Sequence, residues 1–438
     1  MSGVLLLGIA GQAGAEDARA AEHKVFLWGG DVRVRQEAFD HIPLKTGGES
    51  RGGLNDAFRV RTRLWASVAP TERWSLNVRL LQEFRNYVDP SDSTSYEWPD
   101  ELIVDHLNLS MKTRDGRVEA VAGRQEVIIE GAKALLGEGT AKDGSRSTHM
   151  DALMVVIRDE ADRTRLSVFG LYDNAEDPLA IGGVHRDLNG YGSHDTDMDE
   201  AGAGVFLRRT FLDSFRATAY YLWKHDTAWK NAEGVRQPNE DIHTVGGRME
   251  LPLWEGARAG AEVAGQWSPT SESHRRAMMA ALNWRQDWAE ASCKPWVGVQ
   301  GLYLSGDEAS TEANESWNPL WSRYPWISEL MIYAYDADGG GMWNNLIYTW
   351  LEGGVTLAPG HRIYASAGPM LAPEPDGAGG GHDRGWLGAC RYDFPLWRSD
   401  AGEAVWSGHV LATALCPGSY YPEDELAWFL RWGLTFAF

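Results

Sequence analysis

The last twelve residues read Ala427-Trp-Phe-Leu-Arg-Trp-Gly-Leu-Thr-Phe-Ala-Phe438. Trp428, Leu430, Trp432, Leu434, Phe436 and Phe438 share one parity. Arg431, Gly433, Thr435 and Ala437 share the other. A strand points successive side chains to opposite faces, so this segment has one greasy face and one small or polar face. The aromatic face has no obvious partner in a soluble domain, but it has one in lipid.

An alternating C-terminal strand that ends in Phe resembles the closing strand of a bacterial outer-membrane β-barrel. The bulk composition permits this. A soluble chain of 438 residues suggests two or three domains, whereas a barrel of that size is one. No run of about 18 apolar residues is present, which excludes a helical membrane protein. The negative mean hydropathy does not exclude a barrel, because only alternate residues need be apolar. The 21 tryptophans fit a large aromatic core, a sugar-binding surface or the aromatic girdles of a barrel. The alternation favours girdles, with Trp28, Trp74, Trp254, Trp267, Trp284, Trp296 and Trp428 near strand ends.

A formal charge of −21 argues against nucleic acid as a partner. That charge is unevenly placed. Acids crowd expected loops such as 187–200 and 307–315, and arginines crowd expected strands. Cys293, Cys390 and Cys416 are odd in number and match no zinc spacing, so no disulfide framework and no metal are expected. The acidic run Asp195 to Glu200 lacks the glycine and terminal glutamate of a calcium loop and reads as a solvated loop. Near the N-terminus, the apolar stretch Val4 to Ala10 and the Ala13-Gly14-Ala15 triplet resemble a signal peptide. No Lys or Arg precedes Arg19. Residues 1 to about 20 are therefore expected to be a signal peptide, with a weak signal or a start upstream of Met1, and 21–438 a single barrel.

Alternating segments of about ten residues recur from Lys24 to the end, separated by turn residues. Strands are expected at 31–37, 57–70, 74–85, 101–111, 118–127, 150–158, 163–172, 201–209, 214–224, 241–251, 257–267, 275–284, 294–304, 345–357, 362–371, 385–394, 404–415 and 427–438. The fold class expected is all-β: an antiparallel transmembrane barrel of about 18 strands. Its connections alternate between tight turns and long loops rich in Gly, Asp and Ser, as periplasmic turns and extracellular loops do.

The inward faces carry the chemistry. Arg59, Arg61 and Arg63 share a parity, beside Arg33, Arg35, Arg79 and Arg85. Like charges opposite one another repel, so this face needs counter-charges or water. Glu37, Glu83 and Asp105 can supply part of the compensation. Two readings stand open: a lumen stitched together by Arg–Glu pairs, or an electropositive constriction that recruits anions. Arg163, Arg165, Arg248, Arg258, Glu262 and Gln266 form a second inward set, and Asn77, Asn108 and Gln300 offer neutral hydrogen bonds. Arg431 adds one more arginine, adjoining the Arg33 and Arg35 strand if the last strand closes on the first. No G-x-S-x-G, H-E-x-x-H or P-loop is present, so no enzyme is expected.

Scattered motifs along most of 24–438 resemble the alginate export porins, a family of outer-membrane barrels. Gly123-Arg124-Gln125 is similar to the family's Gly-Arg-Gln strand motif, and Glu262 to Gln266 to its Glu-x-x-x-Gln strand. Ser305-Gly306-Asp307 is similar to its Ser-Gly-Asp, Asn345-Leu346 to its Asn-Leu, and Pro417-Gly418 to its Pro-Gly before the last hairpin. The stretch Gly131 to Met150 keeps Asp143-Gly144-x-Arg146 without the surrounding aromatics. The resemblance implies passive transport of an anionic polysaccharide or acidic oligosaccharides, with Arg59, Arg61, Arg79, Arg124 and Arg248 as pore contacts and no cofactor. Expected partners are the glycan, outer-membrane lipid and lipopolysaccharide, and the barrel assembly machinery. The alternatives are a general or nutrient-specific uptake porin for small sugars or carboxylates, an outer-membrane enzyme, and an adhesive barrel.

Overall fold

The computed structural model describes residues 25–438 except 48–52, 94–96, 99–101, 128–148, 175–178, 182–198, 212–213, 231–235, 270–273, 322–326, 332–343, 401 and 403. The expected signal peptide, the Asp143–Arg146 motif and most of the 187–200 acidic loop lie outside the described residues.

One antiparallel sheet closes on itself. Its strands are β1 (Phe26–Asp40), β2 (Asn55–Thr71), β3 (Trp74–Asp89), β4 (Leu102–Lys112), β5 (Val118–Gln125), β6 (Met150–Arg158), β7 (Thr164–Asp173), β8 (Glu200–Phe211) and β9 (Phe215–Asp226). They continue as β10 (Glu240–Trp254), β11 (Ala257–Trp267), β12 (Arg276–Asp287), β13 (Trp296–Leu304), β14 (Leu346–Ala358), β15 (His361–Leu371), β16 (Asp383–Arg398), β17 (Val405–Cys416) and β18 (Ala427–Ala437). Each pairs with its sequence neighbours, and β18 returns to pair with β1, from Asp31↔Ala437 to Asp40↔Trp428. The ring thus has the 18 strands expected. Two short pieces lie outside it: 180–181 pairs with the start of β4, and 229–230 with 236–237.

Closure satisfies the backbone polar groups that lipid cannot. The seam is completed by Phe438, whose N–H and carbonyl exchange hydrogen bonds with Gly30 at 3.0 and 2.9 Å. A Cβ on Gly30 would press on the Phe438 ring, so a glycine there lets the last residue dock.

The outer wall is apolar. Leu76, Leu153, Val263, Leu282, Leu351 and Leu430 are exposed along its middle. Trp28, Trp74, Trp254, Trp397 and Trp406 ring the end that carries the short turns, and Trp98, Trp267 and Trp386 mark the other. This band between aromatic girdles is a lipid-facing surface, and the barrel belongs in the bacterial outer membrane with the short turns toward the periplasm. Trp296 departs from the girdle expectation. It lies on the inward parity, with the Arg285 guanidinium 3.7 Å from its ring centroid and the Tyr364 ring stacked at 5.9 Å. All three cysteines are free and exposed. Cys390 and Cys416 sit on adjacent strands but stand opposite Ala412 and Trp386 instead of each other.

The chain after β13 does not stay outside. It folds into the barrel, where Trp317, Leu320, Trp321, Leu330 and Met331 join one apolar cluster with inward residues of the wall, among them Phe169, Leu222, Leu304, Tyr348, Met370 and Phe429. The Trp321 ring packs edge-on to Phe169 at 5.9 Å and lies over Gly202, where a Cβ would collide with it.

Candidate functional site

Inward residues two apart on neighbouring strands lie level with one another, and a rung recurs about every 7 Å along the wall. On β18, β1, β2 and β3 those rungs are arginine. Arg61 is the register partner of Arg33, and Arg59 of both Arg35 and Arg85. Arg431 stands level with Glu37. Rungs of like charge repel unless anions are threaded between them, and here they are. Arg59 donates to Glu83 Oε1 through Nε (3.1 Å) and Nη2 (2.6 Å) and to Glu37 Oε2 through Nη1 (2.8 Å). Arg33 Nη2 lies 3.2 Å from Glu83 Oε2, and Arg35 Nε 2.9 Å from Glu37 Oε1. Lower on the wall, Asp31 accepts from Arg61 at 3.0 Å and from Arg63 at 2.7 Å.

At the upper rung, Arg431 Nε donates to His409 Nε2 at 3.1 Å, and Nη1 lies 3.5 Å from Glu37 Oε1 and 3.1 Å from Glu329 Oε2. Glu329 comes from the inward loop, in a helical turn over 329–331. Among the described residues, this cluster thus gathers the guanidinium groups of Arg33, Arg35, Arg59, Arg61, Arg63 and Arg431 around the carboxylates of Asp31, Glu37, Glu83 and Glu329. Cations outnumber anions. All but Arg63 and Glu329 are buried, so each ion depends on its partners to offset desolvation. Among the described residues the face is stitched by ion pairs and carries more guanidinium groups than carboxylates.

The row continues on β3 and β4. Arg79 donates to Asp105 at 2.7–3.0 Å and to Glu126 at 2.6 Å, and His106 Nε2 lies 3.6 Å from Glu126. Arg85 donates to the Tyr87 hydroxyl at 3.2 Å. Asn77 and Asn108 share a hydrogen bond of 3.0 Å.

Across the bore, the second expected set is partly united. Arg248 Nη2 donates to Glu250 at 2.7 Å, its Nη1 lies 3.5 Å from Glu262, and Glu262 also accepts from the Tyr220 hydroxyl at 3.0 Å. Arg248 and Glu262 line a small wall cavity with Asn283, Gln300 and Trp350. Arg258 sits apart near the periplasmic rim, 3.2 Å from Asp287. Gln266 clamps the inward loop: its Nε2 donates to the Asn318 carbonyl at 2.7 Å, and its Oε1 accepts from the Asn318 N–H at 2.9 Å. Arg275, beside it, donates to the Ser316 carbonyl and to Glu240 at 2.8 Å.

Arg124 stands away from the arginine row. It shares the register row of Leu107, Asp151 and Tyr172, of which Leu107 and Tyr172 face outward. Its guanidinium pairs with Asp151 at 3.0 Å and donates to the Val104 carbonyl at 3.2 Å. Gly123, at φ 112°, is the backbone irregularity beside it. Sequence reasoning missed Glu329, the inward Trp317 and Trp321, and the contact of His409 with Arg431. The signal was present, since apolar residues in so long a loop require cover.

A second ion-pair cluster lies near the extracellular rim, where buried Lys224 meets Glu200 at 2.8 Å and Asp226 at 3.0 Å. Above the bore, Arg384 lies over the Tyr420 ring at 4.8 Å, and the Tyr420 hydroxyl donates to Asp376 at 2.7 Å. Burial pushes the Tyr420 phenol above its ordinary range, which keeps it a donor.

Closed 18-stranded sheet, lipid-facing belt and inward loop together define the fold of an outer-membrane β-barrel. No protein-family model and no curated protein matches the chain. Among solved structures, it is similar to OccK5 (OpdH) of Pseudomonas aeruginosa, with 11% identity, TM-score 0.54 and coverage of 94% of this chain and 97% of that one. It is similar to OpdK of the same organism with vanillate, with 9% identity, TM-score 0.57 and coverage of 94% and 98%. A BenF-like porin from Pseudomonas fluorescens Pf-5 matches with 10% identity, TM-score 0.52 and the same coverage. At these identities the likeness concerns the fold.

Proposed function

We propose that the chain is a channel for passive uptake of small carboxylate-bearing solutes, with the arginine row as their path. The observation that carries this reading is the succession of guanidinium rungs from Arg63 through Arg61, Arg33, Arg59 and Arg35 to Arg431, ending against the inward loop. Guanidinium pairs with carboxylate in a planar, bidentate geometry. A pore must bind firmly enough to recruit and weakly enough to release, and carboxylates already shared among several arginines meet that condition.

The loop decides the size class. Trp317, Trp321, Leu330 and Met331 occupy lumen that a polysaccharide chain would need, which favours small solutes over polymer export. The structure of OpdK with vanillate, an aromatic carboxylate, lends analogy on the same fold. The test is planar-bilayer recording with purified protein. Anion-selective reversal potentials in a salt gradient, with current block by benzoate, are expected. Cation selectivity with block by neutral sugars alone would overturn the reading.

A further inference from the structure

We infer that Arg431 forms a carboxylate seat in the pore that Glu329 of the inward loop occupies as a tethered ligand, and that a permeating carboxylate takes the seat by displacing it. The inference rests on the uptake reading above and specifies where the solute competes.

Three observations support it. First, the contacts at Arg431 are unequal. Glu37 lies 3.5 Å away and already serves Arg35 at 2.9 Å and Arg59 at 2.8 Å, whereas Glu329 approaches to 3.1 Å through Oε2 and 3.4 Å through Oε1. Glu329 is thus the closer anion, set to meet the guanidinium with both oxygens. Second, the carboxylates of this cluster differ in access. The Glu37 and Glu83 side chains are 3% exposed, and that of Glu329 is 21% exposed. Glu329 is also the one that comes from the loop instead of the wall.

Third, the loop's anchorage does not depend on the ion pair. Leu330 and Met331 are fully buried beside it, and Gln266 and Arg275 clamp the preceding stretch at Asn318 and Ser316. The Glu329 side chain can swing off Arg431 while its backbone stays docked. Exchange of one carboxylate for another conserves the charge and the hydrogen bonds at the guanidinium. It therefore avoids the penalty of leaving a buried cation bare. His409 Nε2, accepting from Arg431 Nε, holds the guanidinium in place during the exchange.

A seat with an internal occupant has an apparent affinity lowered by the fraction of time it is free. The test is benzoate block of chloride current through the full-length channel, with benzamide as the neutral counterpart. Glu329→Gln is expected to lower the half-blocking benzoate concentration about tenfold, as for a seat free about a tenth of the time, without strengthening block by benzamide. Arg431→Lys, which keeps the charge and loses the fork, is expected to weaken benzoate block and to abolish the gain from Glu329→Gln. Heat-modifiable electrophoresis certifies folding, and Glu329→Ala serves if the glutamine variant fails to fold. Equal block of wild type and the Glu329 variant would overturn the tethered-ligand inference and leave the uptake reading standing. Absence of benzoate block in both would overturn the uptake reading, and the inference with it.

Discussion

Arg431 on the last strand and Glu37 on the first are direct register partners, and their side chains lie 3.5 Å apart across the seam where the barrel closes. The most cationic rungs of the wall therefore straddle the junction between the two ends of the chain. Assembly of the site and closure of the fold are one event.

Glu37 is the hinge of that junction, since Arg35, Arg59 and Arg431 all share it. Glu37→Gln leaves three buried guanidinium groups short of one anion. Removing one member of a buried ion cluster costs about 3–5 kcal/mol. The expected outcome is a lower urea midpoint for the folded band in heat-modifiable electrophoresis. An unchanged midpoint would show that water compensates the cluster.

Arg61 and Arg79 sit at different heights and in different ion networks, with Asp31 and with Asp105 plus Glu126. Replacing both with alanine removes one arginine from each network and leaves Asp31 with Arg63 and Glu126 beside His106. Anion selectivity is expected to fall, read as a shift of the reversal potential in a salt gradient. Identical reversal potentials would exclude this wall from the ion path.

Trp321 is a fully buried anchor of the inward loop, packed against Phe169 and Gly202. Truncating a buried tryptophan to alanine costs about 3–5 kcal/mol, charged here against loop docking and not against the strands. Trp321→Ala is expected to raise single-channel conductance while the barrel's unfolding midpoint holds. The opposite pattern, a weakened barrel with unaltered conductance, would assign the loop a purely structural part.

Leu282 and Asn283 are adjacent on β12 and face opposite solvents, with Leu282 63% exposed on the outer wall. Leu282→Arg puts a charge into hydrocarbon at about 2–4 kcal/mol near the midplane. Asn283→Arg puts it into the lumen. The first variant is expected to lower unfolding stability in lipid vesicles, and the second to alter selectivity with little change in stability. Equal destabilisation would mean that the two faces are not so divided.

The strands were legible because lipid imposes a two-residue period on the outer wall regardless of what the lumen does. Alternation such as Trp428, Leu430 and Trp432 survives any shift of register. Facing errors arose where the backbone breaks that period or where a residue type suits either face. Arg124 follows the irregular Gly123 and, though its register partner Leu107 faces outward, its own side chain is buried against Asp151 and the Val104 carbonyl, while Trp296 turns inward to meet Arg285. The ion partners were less legible, because diagonal pairs such as Arg59 with Glu83 depend on the stagger between strands, which no single strand records. The inward loop was only indirectly legible, since its apolar residues called for cover without saying what supplies it. Trp317 and Trp321 belong to no periodic segment, and only three-dimensional closure supplies the wall that covers them.

That loop touches the wall at well-separated places around the circumference: Trp321 at β7 and β8, Asn318 at β11, and Glu329 at β18. A tube one sheet thick is stiff along its hydrogen bonds and yields more readily to ovalisation. Three internal struts resist that mode of deformation. The shape of the aperture is thereby set from within, and lateral pressure from the surrounding bilayer has little leverage over it.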